Sequence, residues 1–451
     1  YVWVNAITSA IKTEDGTRPV LSGLHGSFPE SAFRPEDLGE LLDVLCTHPY
    51  PLFTPYCDTD PLTENKSALH AVAETVLYRG LSGKPAFAEE VGTLGPMIAS
   101  EENAAAYVNT VLHLLLAHGC LGFMWWCGFE QSKLTHTPYD WNAVERELGL
   151  FRTDMTPKPV LHTLSDFVRY TDTAEPLPPR TADAVCVLSA DTDTWRAAFG
   201  TFILSKQAGL DIEFCHIGDK IPPARAYMLP SVGHDHLAAH EMKVILDRVK
   251  AGAVLYVSVG AALLSPFREI FGLQPTLRYR QATPDRVTLG GYTFTLSDTF
   301  KIDYADGDAE VMARDENGRA VMAKHAYGEG TVFFLAYPIE DMGATVPGID
   351  GGKDEVPLHL FYRAMDKLRN PDRIVCCDNP HIMYTEHVGA DGCTVVAVNA
   401  SPRPTDTRFT LRDGYALDGV PKNQSVSLTE TADALCAAFP PNAAVIFRIR
   451  R

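Results

Sequence analysis

No apolar run in this chain reaches the roughly 18 residues that a membrane span needs, which argues against a transmembrane helix. CxxC spacing is absent from its ten cysteines, so neither a redox pair nor a zinc ribbon is signalled. Basic charge is short as well. With 39 Lys+Arg against 57 Asp+Glu, the net charge is −18. Such a balance lacks the basic face that nucleic acid or an anionic membrane requires, and it leaves neutral ligands such as sugars open. Internal repeats and low-complexity tracts are missing, and 46% hydrophobic against 21% charged residues excludes disorder as the main state. A basic segment followed by an apolar one is missing from the start, so no signal peptide is expected there. The chain opens at Tyr1, without Met, inside an amphipathic helical pattern.

What is present is three regions over 451 residues, a length that predicts two to four domains at about 100–200 residues each. In residues 1–174, apolar runs (19–25, 44–50, 85–90, 122–126) alternate with helical stretches (1–12, 36–42, 67–79, 101–118). This order predicts parallel strands with helical crossovers. Ser100 is placed to cap the last of these helices. A Pro-rich stretch at 175–181 reads as a linker. Residues 182–371 begin with strands 184–188, 212–216, 226–229 and 254–259, alternating with helices 195–207, 236–250 and 266–271, as in an open doubly wound sheet. Strand alternation follows, with a hairpin signal at Gly328-Glu-Gly330, before a helix over 357–368. Residues 372–451 are strands (382–387, 394–399, 407–411, 444–449) separated by turn residues and read as a small β-sandwich. Most cysteines lie in apolar runs, which suits buried reduced thiols and a cytoplasmic location.

In a closed βα-barrel, chemistry sits at the carboxyl ends of the strands. In the first region those ends carry His25, then His48 and Tyr50, then Glu89 and Glu90, then Trp125 and Trp126. Strand alternation predicts that only one of Glu89 and Glu90 faces the mouth. It likewise turns one Trp inward, and Trp126 is the nearer to the mouth. A carboxylate there suits nucleophilic or acid/base work on a glycosidic bond, and an indole suits the apolar face of a pyranose. Glu130 and Gln131 are candidates to hydrogen-bond sugar hydroxyls. Tyr139 and Trp141 are candidates to line the cleft. His236 and His240 have i,i+4 spacing but no further ligand cluster, so no metal is expected.

The segment Gly83-Lys-Pro-Ala-Phe-Ala-Glu-Glu-Val-Gly92 resembles the seventh strand of clan A retaining glycoside hydrolases, including families 5 and 2. Thr47-His-Pro-Tyr50 resembles their sixth strand, and Phe123-Met-Trp-Trp-Cys-Gly-Phe-Glu-Gln131 their eighth. Thr17-Arg-Pro-Val-Leu-Ser-Gly-Leu-His25 resembles the start of the fifth. The resemblance implies Glu90 as nucleophile, Tyr50 as its hydrogen-bond donor, His48 near the sugar and Trp126 as the floor of the sugar subsite. Glu89 stands where the family has a small polar residue. The family's acid/base Glu ends strand four, which would precede Tyr1.

The order of regions resembles family 42 β-galactosidases, whose middle domain is amidotransferase-like and mediates trimerisation. No Cys stands near Val259-Gly-Ala261, so amidotransferase chemistry is not expected there. The fold expected is thus α/β: the C-terminal half of a (β/α)8 TIM barrel, an amidotransferase-like doubly wound domain and a β-sandwich. The resemblance implies a retaining β-glycosidase acting on an oligosaccharide or β-glycoside, as an exo-acting β-galactosidase, β-mannosidase or β-glucosidase. It implies no cofactor and a homo-oligomer, with roughly 200 preceding residues completing the barrel in the same or a separate chain. The alternative is a noncatalytic carbohydrate-binding or assembly protein built on a degenerate barrel.

Overall fold

The computed structural model describes residues 1–23, 33–93, 95–142, 145–188, 193–216, 218, 220–233, 239–260, 262, 264, 267–349 and 356–451. They form two compact units, one of Tyr1–Thr181 with Asp372–Arg451 and one of Ala182–Pro371.

The first unit starts with helices α1 (Val2–Glu14) and α2 (Pro35–Gly39). Strand β1 (Leu45–Thr47), helix α3 (Asn65–Ser82), strand β2 (Ala86–Val91) and helix α4 (Glu101–Ala117) follow. Strand β3 (Phe123–Trp125) and helix α5 (Pro159–Thr171) complete the run. The three strands are parallel neighbours in the order β1-β2-β3. Helix α4 begins on its predicted cap: Ser100 Oγ accepts the Asn103 N–H at 3.3 Å, and Glu101 and Glu102 suit the positive end of the helix dipole. Helix α3 ends on Gly83 at φ 65°, a left-handed conformation that a Cβ would disfavour.

Helix α3 is buried nearly all round, His70 and Glu74 included, so it needs cover on its outer side. The strands after Asp372 pack on the neighbouring helix α4, and the loop at Pro380 reaches the first turn of α3. These strands form two four-stranded antiparallel sheets around one apolar core. Val375, Phe409 and Leu435 come from one sheet, and Val395, Val445 and Phe447 from the other. Side-chain amides stitch this layer to α3 and α4. Asn65 Nδ2 donates to Pro380 O at 3.0 Å, and Asn109 Nδ2 to Gln424 Oε1 at 2.8 Å. The Pro-rich stretch expected as a linker is docked: Thr181 N–H donates to Glu386 O at 2.8 Å.

In the second unit, strands β4 (Ala184–Leu188), β5 (Ile212–His216), β6 (Ala226–Val232) and β7 (Val254–Val259) alternate with helices α6 (Thr194–Gln207) and α7 (Ala239–Lys250). The seven-stranded sheet runs Glu310–Arg314, Ala320–Tyr327, Gly330–Leu335, β7, β6, β4, β5. Its last five members are parallel, and its first two pair antiparallel. Chain order reverses direction at β4, the switch point of a doubly wound sheet.

The strand expected over 44–50 keeps only Leu45–Thr47, the helix expected over 36–42 is Pro35–Gly39, and two further elements differ more. Residues 19–23, the described part of the strand expected over 19–25, are not a strand. Asp43 N–H donates to Val20 O at 2.9 Å, but the Val20 N–H goes to the side-chain Asp43 Oδ2 at 2.7 Å, so the ladder is not continued. The helix expected over 357–368 spans only His359–Ala364, because Met365 leaves helical geometry and Leu368 N–H closes a turn on Met365 O.

Candidate active site

The carboxyl ends of β1 and β2 bring four of the predicted residues together. Just past β1, Tyr50 is buried and its hydroxyl donates to Glu90 Oε2 at 3.0 Å. Burial first, and then the charge of Glu90, push the phenol well above its ordinary range, so it stays a donor. His48 lies between both carboxylates. Its Nε2 is 3.1 Å from Glu89 Oε2, and its Nδ1 is 3.7 Å from Glu90 Oε2. The His48 side chain is 13% exposed and that of Glu90 is 30% exposed, so the nucleophile candidate keeps a solvent-facing side. Beneath them, burial and then Glu89 push the Cys46 thiol up to about 12, which leaves it a neutral packing group.

Two glycines make room for this cluster. A Cβ on Gly23 would lie 2.8 Å from Glu89 Oε2 and 3.1 Å from His48 Nε2. A Cβ on Gly92 would lie 3.1 Å from Trp126 O and 3.3 Å from the Tyr50 ring, which places Trp126 beside Tyr50.

Glu89 and Glu90 do not alternate as residues of a regular strand would. Ala88 pairs with Phe123 and Val91 with Trp125, so β2 spends three steps where β3 spends two. The extra residue is a β-bulge at Glu89-Glu90. A bulge interrupts the two-residue period, and both carboxylates reach the same imidazole.

The two indoles at the end of β3 go to different surroundings. Trp125 packs against Ala104, Val108 and Val160, and its Nε1–H donates to Leu148 O at 3.0 Å. Trp126 is 38% exposed, and its Nε1–H donates to Glu145 Oε2 at 3.3 Å. Glu145 was missed by sequence reasoning. It lies in a charged loop with no register to orient it, and only folding brings it to Trp126.

Glu130 is not brought to this cluster. Its Oε1 pairs with Lys158 at 2.7 Å and its Oε2 accepts from Thr153 N–H at 3.0 Å, so it staples the loop. Burial opposes ionisation, but Lys158 and Thr153 together hold its carboxyl below the usual range. In the structure both of its oxygens are engaged within the loop. Gln131 is exposed beside Phe129 and Thr153, in a groove next to that staple. Trp141 is 94% exposed, and Tyr139 packs edge-on against His136. His25 and His236 lie outside the described residues.

Among the described residues, no group of three or more His, Cys, Asp or Glu is placed to hold a metal ion. No described helix is long and apolar enough to cross a membrane.

No family model matches the chain, and no curated protein matches it in sequence. Solved structures do match. An exo-β-1,4-mannosidase from Opitutaceae bacterium strain TAV5 superposes with a TM-score of 0.66 at 19% identity, over 80% of this chain and 68% of that one. A β-galactosidase from Rahnella sp. R3 gives 0.69 at 12% identity, over 98% and 65%. An α-L-fucosidase isoenzyme 2 from Paenibacillus thiaminolyticus gives 0.65 at 12% identity, over 99% and 70%. All three of these neighbours are glycosidases, and the chain shares their fold. It spans about two thirds of the length of each.

Proposed function

We propose that the chain is the C-terminal part of a retaining β-glycoside hydrolase. Residues 1–174 form the second half of a TIM barrel in this reading, residues 182–371 an amidotransferase-like domain and residues 372–451 a β-sandwich. The observation that carries it is the Tyr50 hydroxyl on Glu90 Oε2 at 3.0 Å, at the ends of adjacent parallel strands. That bond occupies one oxygen and leaves Oε1 as the attacking atom.

Glu90 Oε1 gives its electron pair to the anomeric carbon as the glycosidic bond breaks toward the leaving oxygen. A carboxylic acid from the preceding half of the barrel protonates that oxygen. It lies roughly 5–5.5 Å from Glu90, the spacing of retaining enzymes, and then removes a proton from the water that hydrolyses the ester. Trp126 carries the sugar's apolar face, with its indole held by Glu145. His48 approaches the sugar from the Glu89 side. The substrate is a β-galactoside, β-mannoside or β-glucoside, cleaved from the non-reducing end. The complete protein is a cytoplasmic bacterial enzyme and a homo-oligomer, a trimer by analogy of domain order.

A panel of nitrophenyl β-glycosides, with product stereochemistry followed by NMR, tests this reading. Turnover with retained β configuration supports it. Sugar binding without turnover would favour a noncatalytic carbohydrate-binding protein, and inversion would exclude the double displacement.

A further inference from the structure

We propose that Glu89 is a positioning residue that acts on the nucleophile through His48. This inference rests on the reading of Glu90 as the nucleophile. The bulge in β2 delivers a second carboxylate to the same imidazole, and Glu89 is the nearer of the two. A carboxylate oxygen accepts and does not donate, so the 3.1 Å contact fixes the hydrogen of His48 on Nε2. The Nδ1 lone pair is then left facing Glu90 Oε2 at 3.7 Å.

This arrangement sets a carboxylate, an imidazole and the Tyr50-held oxygen of the nucleophile in series, with Glu90 Oε1 left to attack. When Nδ1 takes a proton from solvent, the ring becomes an imidazolium between two carboxylates, and its charge, 3.7 Å from Glu90 Oε2, favours the ionised nucleophile. Glu89 and Glu90 from β2 face the ring, and Glu89 in turn faces the Cys46 thiol. Gly23 closes the cluster, because any side chain there would displace the Glu89 oxygen or the His48 ring.

The test is the complete protein, wild type against Glu89→Gln, read two ways. The first reading is the pH profile of kcat/KM. Glu89 acting through His48 predicts that Glu89→Gln moves the acid limb to higher pH, with acid-side kcat/KM falling about tenfold per unit of movement. Glu89 acting directly on Glu90 by like-charge repulsion predicts the opposite sign, and that result overturns the proposal. An unmoved limb overturns it too. Gly23→Ala, which leaves both acids in place, is expected to move the limb in the same direction as Glu89→Gln. The second reading is the 15N shifts of His48, which need no turnover. They are expected to report a hydrogen-bonded Nε2–H in the wild type and a changed tautomer balance in Glu89→Gln. Unchanged shifts overturn the pair. If the wild type turns over no β-glycoside, the glycosidase reading fails, while the shifts still decide the Glu89–His48 contact.

Discussion

Two carboxylates, one in each unit, stand near the ends of parallel strands and live in opposite surroundings. Glu340, in helix Ile339–Thr345, is fully buried and accepts from four hydroxyls. Tyr256 and Ser258 reach it at 2.6 Å, Tyr362 at 2.9 Å and Ser231 at 3.1 Å. Its lone pairs are spent on holding β6, β7 and helix His359–Ala364 together. Glu90 has one hydroxyl, an imidazole nitrogen at 3.7 Å and an exposed flank. A saturated carboxylate is structural, whereas an undersatisfied one on a bulged strand is free to react. The same contrast separates the two parallel sheets. In the second unit, β4, β6 and β7 are buried at every residue, whereas β1 and β3 are three residues long and β3 is partly exposed.

The sharpest way to break the comparison is to exchange functions. Glu90→Gln is expected to lower kcat/KM of the complete protein by more than about 10⁴-fold with little change in melting. Glu340→Ala is expected to do the reverse, leaving kcat intact but lowering stability by about 3 kcal/mol, because four buried hydroxyls lose their acceptor. Thermal melts and initial rates on both variants check the pair. Next in size, Tyr50→Phe deletes the hydroxyl on Glu90 and is expected to reduce kcat by about 10- to 100-fold. Trp126→Ala is expected to raise KM more than it lowers kcat, by an amount near 1–2 kcal/mol of lost stacking.

The legibility of each sheet follows from the same contrast. The bounds of β4 and β7 can be read from the sequence because a strand buried on both faces is a nearly continuous apolar run. Residue types at strand ends pointed to Tyr50 and to two acids, and the pairing of Tyr50 with Glu90 came from the resemblance to clan A glycoside hydrolases. The bulge was not, since an extra residue leaves no mark on a pattern of two acids. Glu145 and the staple between Glu130 and Lys158 come from loops, where no period fixes direction.

A smaller effect separates the units by pH. Burial holds His113, on α4, down to about 4 from 6.5, so the unfolded chain binds the proton more readily. The first unit's contribution from this ring is full above pH 6.5 and is lost as pH falls through 4, roughly 3 kcal/mol at most. Burial raises Asp341, in the second unit, from 3.8 to about 6, against the pull of Arg196 at 2.9 Å. Its contribution is full below 3.8 and is lost as pH rises through 6. Lowering pH from 7 to 4.5 is therefore expected to weaken the first unit through His113 and to strengthen the second through Asp341. Hydrogen exchange resolved by unit checks this, with His113→Gln and Asp341→Asn each flattening its own unit's response.

The central claim is that Glu90 forms the covalent bond. Trapping the complete protein with an activated 2-fluoro-β-glycoside, followed by peptide mass analysis, tests it most directly. The account predicts one adduct, on Glu90. An adduct on Glu89, or none from a preparation that hydrolyses β-glycosides, would contradict it.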